Sequence, residues 1–216
     1  MVSQPPNQSR TTPDDLFKAL DARYGPLMID VAATQANSKC VFYIDEEMDA
    51  LAASTSWCDS LRYKSKITGM LEVYGFEYAA AFCNPPWKKP VPWLKKAYAE
   101  SRLRRGTNIV VVLHQTWSKG VAPWLNKAAY VDQLVGLRPK FAIPEGWYLC
   151  RNKKCKHYFE SAQWPNKVGA YCPMCSTSDS KPQLNSSSPR DIQIVVFNAS
   201  VQGPTTFRLW DWTKQL

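Results

Sequence analysis

The chain has 216 residues, 45% of them apolar and 21% charged, with 27 Lys and Arg against 18 Asp and Glu, a net charge of +9. That length buries a sizeable core and the balance excludes wholesale disorder. No apolar run approaches the ~18 residues of a membrane span. The opening MVSQPPNQSR lacks the apolar stretch of a secretory signal, so a cytoplasmic protein is expected. The charge favours a polyanionic partner, nucleic acid first. Nine Trp and ten Tyr add faces on which bases can stack.

Residues 1–11 are polar and read as a disordered tail. Thr12-Pro13-Asp14-Asp15 then predicts a helix start: Thr12 as cap, Pro13 at the first helical position, two acids at the positive end of the dipole. Leu16, Phe17 and Leu20 share one face, and Gly25 marks the stop. Residues 27–32 read as a buried strand with Asp30 near its end. Residues 78–83 form a second apolar strand that exits into Asn84-Pro85-Pro86-Trp87, where two prolines forbid its continuation. A helix from Pro92 to Gly106 follows, then a strand at 107–113, a helix at 122–129 and a strand at 131–137. Strand and helix alternate, which predicts an α/β domain with a mainly parallel sheet. Ligands of such sheets sit at the carboxyl ends of strands, where Asp30 and Asn84 both fall.

Composition changes at Pro144. Residues 145–178 read as an insert rich in Cys, Lys and aromatics, and 179–189 as a Ser-rich linker. The chain then returns at 192–197 and 206–210, read as a hairpin closing the main domain over 12–144 and 190–216.

The Asn-Pro-Pro-aromatic turn points to methyl transfer onto an amino group. A base amine is a poor nucleophile because its lone pair is delocalised into the ring. The Asn84 side-chain oxygen and the Pro85 carbonyl can accept both of its hydrogens from a rigid turn, while Pro86 fixes the backbone and Trp87 offers a stacking face. The methyl donor is then S-adenosylmethionine, although the chain has no GxGxxG fingerprint. Its pocket must come from Thr12, Asp30 to Ala32 and the acids at 45–49: Asp30 for the donor's ammonium, one acid for the ribose hydroxyls. Read by pattern alone, the same residues are an N-cap, a strand-end acid and a solvated acidic run.

Cys150-x4-Cys155-x16-Cys172-x2-Cys175 reads as a four-thiolate structural zinc site of the ribbon type; His157 is an alternative to Cys155. A closed four-Cys site leaves zinc no catalytic part. Arg151, Lys153 and Lys154 make the insert basic, and Lys88, Lys89, Lys95 and Lys96 follow the Asn84 turn. Both clusters suit DNA phosphates.

Five ordered segments resemble the phage-type DNA adenine-N6 methyltransferase (Dam) family: Thr12-Pro13-Asp14-Asp15-Leu16, Ile29-Asp30-Val31-Ala32-Ala33, Asn37-Ser38-Lys39-Cys40, Asp49-Ala50-Leu51 and Cys83-Asn84-Pro85-Pro86-Trp87. Gly136-Leu137-Arg138-Pro139-Lys140-Phe141 and Ile194-Val195-Val196-Phe197 look like that family's closing strands. The resemblance implies a Rossmann-like fold, S-adenosylmethionine, double-stranded DNA as partner, and a bacterial or phage-infected cell. It implies donor-pocket roles for Thr12, Asp30, Ala32 and Asp49, the last at a D-G-L position where Ala50 replaces Gly. It makes Asn84, Pro85, Pro86 and Trp87 the catalytic N-P-P-Y, with Trp for Tyr. Asn in first place points to adenine over cytosine. No cysteine pattern demands a covalent intermediate. RNA adenine, cytosine N4 and protein glutamine are alternative substrates of the same chemistry, and a non-catalytic zinc-ribbon nucleic-acid binder is the alternative outside it.

Overall fold

The computed structural model describes residues 11–58, 63–72, 80–103, 106–141, 147–150, 152, 154, 158–160, 171–172, 174–178, 180–182, 186–187 and 191–215. Of the disordered tail expected at 1–11, residues 1–10 lie outside them, whereas Thr11 is half-buried in a β-bridge. Contacts divide the chain into two units. One is Thr12–Pro139 with Ser188–Leu216, and the other is Lys140–Ser187 with Met1–Thr11.

The first unit opens with helix α1 (Asp14–Tyr24). Pro13, not Thr12, holds the N-cap position, and its carbonyl accepts the Phe17 N–H at 2.9 Å. Thr12 is therefore no cap. Its hydroxyl is buried one residue outside the helix. Gly25 ends α1, and a Cβ there would run into the Asp21 carbonyl.

The strands are β1 (Leu27–Asp30), β2 (Phe42–Tyr43), β3 (Tyr63–Ser65), β4 (Leu71–Glu72) and β5 (Ala80–Cys83). Helix α2 (Pro90–Leu103), β6 (Ile109–His114), the single turn α3 (Ala122–Leu125) and β7 (Tyr130–Val135) follow. The second unit supplies β8 (Lys140–Phe141), β9 (Trp147–Cys150), β10 (Tyr158–Glu160), β11 (Ser180–Pro182) and β12 (Ser186–Ser187). The first unit then closes with β13 (Ile192–Phe197) and β14 (Thr206–Asp211).

Nine strands form one sheet in the order β14-β7-β13-β6-β5-β1-β2-β3-β4. Neighbours from β6 to β2 are parallel. β13 is antiparallel to both β6 and β7, and β3 to both β2 and β4. The sheet is thus mixed where the alternation of elements predicts a mainly parallel one.

The expected final hairpin does not form, because β7 lies between β13 and β14. All six residues of β13 are buried, and such a strand needs a neighbour on each edge. β14 is half exposed and takes the sheet edge, parallel to β7. Nor is 136–141 one closing strand: Gly136 leaves β7 at φ +86°, and Lys140 begins β8.

The core gathers Ile29, Phe42, Trp57, Leu94, Val111 and Phe197 with their neighbours. Buried Asp132 on β7 ties the β14 edge to α1. It accepts the Arg208 Nε–H at 2.6 Å and pairs with Arg23 at 3.2 Å, and the Tyr24 hydroxyl also donates to it.

In the second unit, β9 pairs antiparallel with β10 and with β11, and β12 pairs with β8. The Ser-rich stretch expected as a linker at 179–189 therefore carries two strands, since ladder pairing uses backbone groups and needs no apolar side chain. The unit begins at Lys140, five residues before the expected insert start.

Candidate active site

Parallel pairing from β6 to β1 brings three strand ends to one edge of the sheet. Asp30 ends β1, Asn84 follows β5 and His114 ends β6.

Asp30 is 3% exposed. One carboxylate oxygen accepts the Lys39 N–H at 3.1 Å and the other the Ala32 N–H at 3.4 Å. These bonds favour the anion, but burial outweighs them and pushes the carboxyl from its ordinary 3.8 to about 6. Asp30 makes no ion pair among the described residues, and an acid so costly to bury is poised for a cation. Ala32 is half-buried beside it. The Thr12 hydroxyl is 2% exposed and has no hydrogen-bond partner among the described residues. A donor group bearing an ammonium and several hydroxyls suits an under-neutralised carboxylate and a waiting hydroxyl, so these residues fit S-adenosylmethionine. Burial, aided by the Asp30 charge, pushes the Cys40 and Cys83 thiols up, which keeps them unreactive.

The acidic run at 45–49 is less available than its sequence suggests. Lys64 binds Asp45 and Glu47, each at 2.6 Å. Asp49 is exposed at φ +48°, and one of its oxygens accepts the Leu51 N–H at 3.0 Å. Buried Glu100 of α2 anchors the loop that follows. It accepts the Trp57 N–H at 2.9 Å and the Ser56 hydroxyl at 3.1 Å, and pairs with Lys96 at 2.7 Å. Lys96 also donates to the Ala52 carbonyl. It is therefore an internal strut, not part of a phosphate patch.

The Asn84 turn is closed by the Lys89 N–H on the Pro86 carbonyl at 3.3 Å. Pro85 is buried, while Asn84 and Trp87 are half-buried. The Trp87 indole N–H donates to the Asn84 side-chain oxygen at 3.2 Å. The Trp87 ring lies 3.6 Å from that of His114, tilted 46°. The two rings share the wall of a cavity of about 450 Å³ with Lys88, Lys89 and Thr116, a size usual for small-molecule sites. Lys88 and Lys89 are exposed.

His114 escaped the sequence reading. Its signal was positional: it is one of two His in the chain and directly follows an apolar strand. Glu100 gave no signal, because a helical Glu is ordinarily solvated.

Of the residues expected in the insert, Arg151, Lys153 and Cys155 lie outside the described residues, and Lys154 is exposed. Cys150, Cys172 and Cys175 come together, with their sulfurs all within 4.8 Å of one another. Among the described residues no helix is long and apolar enough to cross a membrane.

Set beside known proteins, the chain is a methyltransferase. It belongs to the DNA N-6-adenine-methyltransferase (Dam) family, whose sequence model matches residues 3–135, more than half of the chain. It is also 33% identical over 82 residues to the Escherichia coli (strain K12) protein named "Putative methyltransferase YfdM", an overlap covering 38% of this chain and 69% of that protein. Membership implies S-adenosylmethionine as methyl donor and DNA as substrate.

Proposed function

We propose that the chain transfers a methyl group from S-adenosylmethionine to N6 of an adenine flipped out of double-stranded DNA. The observation that carries this reading is the Asn84-Pro85-Pro86-Trp87 turn, set at the end of β5 beside the β1 end that carries buried Asp30.

S-adenosylmethionine supplies a methyl group on a sulfonium, activated towards nucleophiles. Asp30 would hold its ammonium, Thr12 and the Ala32 segment its methionyl side, and Asp49 its ribose hydroxyls. The chain's remaining work is on the acceptor. The adenine amine donates one hydrogen to the Asn84 side-chain oxygen and the other to the Pro85 carbonyl. Both bonds draw electron density onto N6 and fix its orientation. The base stacks on Trp87, whose indole N–H yields Asn84 to the amine. The nitrogen forms its bond to the methyl carbon as the carbon–sulfur bond breaks, and N6 then releases a proton to water. No side chain becomes covalently modified. Lys88 and Lys89 would hold flanking phosphates, with Arg151, Lys153 and Lys154 of the second unit adding charge.

Tritium transfer from labelled donor to unmethylated duplex, with products resolved as nucleosides, tests the reading. The parent forms N6-methyladenine, and Asn84→Ala loses at least 100-fold in turnover while still binding donor. Label appearing in cytosine, RNA or protein glutamine in place of adenine overturns the substrate assignment. Donor that never binds overturns the enzyme.

A further inference from the structure

The family match ends before Lys140, so the thiols of the second unit call for their own explanation. Cys150 ends the central strand of the three-stranded sheet and is 1% exposed. Cys172 is equally buried, whereas Cys175 is exposed. A tight turn sets the second pair. The Cys172 N–H donates to the Thr177 carbonyl at 2.9 Å, the Ser176 N–H donates to the Cys172 carbonyl at 2.8 Å, and Ser176 takes φ +53°. That turn brings Cys172 and Cys175 to the same point as Cys150.

The sulfur spacing discriminates between explanations. Cys150 and Cys175 are 3.6 Å apart. A disulfide requires about 2.05 Å. Ordinary packing of apolar thiols gives no reason to draw exposed Cys175 into the group. Four sulfurs placed tetrahedrally at about 2.3 Å from a zinc ion lie about 3.8 Å from one another, close to the spacing seen. The Asn152 side-chain amide approaches the Cys175 sulfur at 3.9 Å, as a hydrogen bond that supports a thiolate. All-sulfur donors select zinc over magnesium or calcium.

We propose that Cys150, Cys172 and Cys175 bind one zinc ion that holds the second unit folded, with the sequence spacing offering Cys155 as a fourth thiolate. The need is physical. Among the described residues the unit's strands have four, three and three residues in the larger sheet and two each in the smaller, and so small a fold rarely stands without a staple. In so small a unit, metal-binding free energy becomes folding free energy. Four thiolates leave no open coordination position, so the centre takes no part in methyl transfer. Its charge of two minus suits a stretch whose sequence carries Arg151, Lys153, Lys154 and Lys156.

The test uses the full chain. Elemental analysis of protein purified without chelator gives one zinc per chain, and Cys172→Ser loses it. Cobalt(II) added to zinc-stripped protein gives thiolate-to-cobalt charge transfer and intense tetrahedral bands, weakened but not abolished by Cys155→Ser. Zinc removal makes residues 140–187 sensitive to protease and is reversed by adding zinc. Protein that takes up neither metal overturns the proposal, as does octahedral cobalt. A cobalt spectrum unchanged in Cys155→Ser removes Cys155 from the site. Donor binding measured on the same samples separates failure of this centre from failure of the methyltransferase reading.

Discussion

Asp30 sets two properties against each other. Burial raises its carboxyl to about 6, roughly 3 kcal/mol above an ordinary Asp in the cost of ionising. The folded chain therefore keeps a proton that the unfolded chain releases between about pH 4 and pH 6. The stability from this group is fully present below about pH 4 and is lost as pH rises through about 6. Donor binding runs the other way, because an ammonium is attracted by the carboxylate and not by the acid. Urea denaturation should show Asp30→Asn gaining stability over the parent above pH 6, by up to about 3 kcal/mol. Calorimetry should show donor affinity falling about tenfold per pH unit well below 6 in the parent, and a weak, pH-independent affinity in Asp30→Asn. A parent affinity flat from pH 5 to pH 8 would remove Asp30 from the ammonium site. Sequence made this residue legible as an acid at a strand end, but its unbalanced burial depends on what packs around it.

At the scale of elements, helix α1, strands β1 and β5 and helix α2 were legible because each carries its own signal: a helical face, an apolar run, a proline stop. The order of strands was not. A hairpin between residues 192–197 and 206–210 is the local reading, yet β7 intervenes because β13 is apolar enough to need two neighbours. The Asn84 turn was legible as four residues. The indole bond to Asn84 depends on how the turn itself folds, and the facing His114 ring comes from the neighbouring strand β6. Glu100 has the same character. It joins α2 to the loop after Asp49 through Trp57, Ser56 and Lys96. Glu100→Ala leaves a buried N–H without its acceptor and Lys96 without its counter-charge. A loss of about 3 kcal/mol in unfolding free energy is expected, together with weaker donor binding as the Asp49 loop loosens. Unchanged denaturation midpoints would show that the loop is held by its apolar contacts alone.

Over the whole molecule, a net charge of +9 draws the chain to any polyanion, so affinity alone is a poor measure of where DNA lies. The salt dependence is a better one. Each phosphate neutralised releases condensed counterions and steepens the fall of log Kobs with log salt by about 0.9. Lys88 and Lys89 are exposed beside the Asn84 turn, whereas Lys96 and Lys64 are held by internal carboxylates. Of these four, Lys88 and Lys89 alone are placed to add to the slope. Replacing both with Ala should reduce its magnitude by about 2 on duplex DNA, and equally for specific and unrelated sequences, because phosphates carry no base code. Lys96→Ala should leave the slope unchanged while lowering stability. Fluorescence anisotropy over a salt series reads both. A slope unaltered by the double substitution would place the DNA backbone away from the Asn84 turn. That result would contradict a base presented to Asn84 from a duplex held at this edge of the sheet, since the flipped nucleotide cannot be far from its own phosphates.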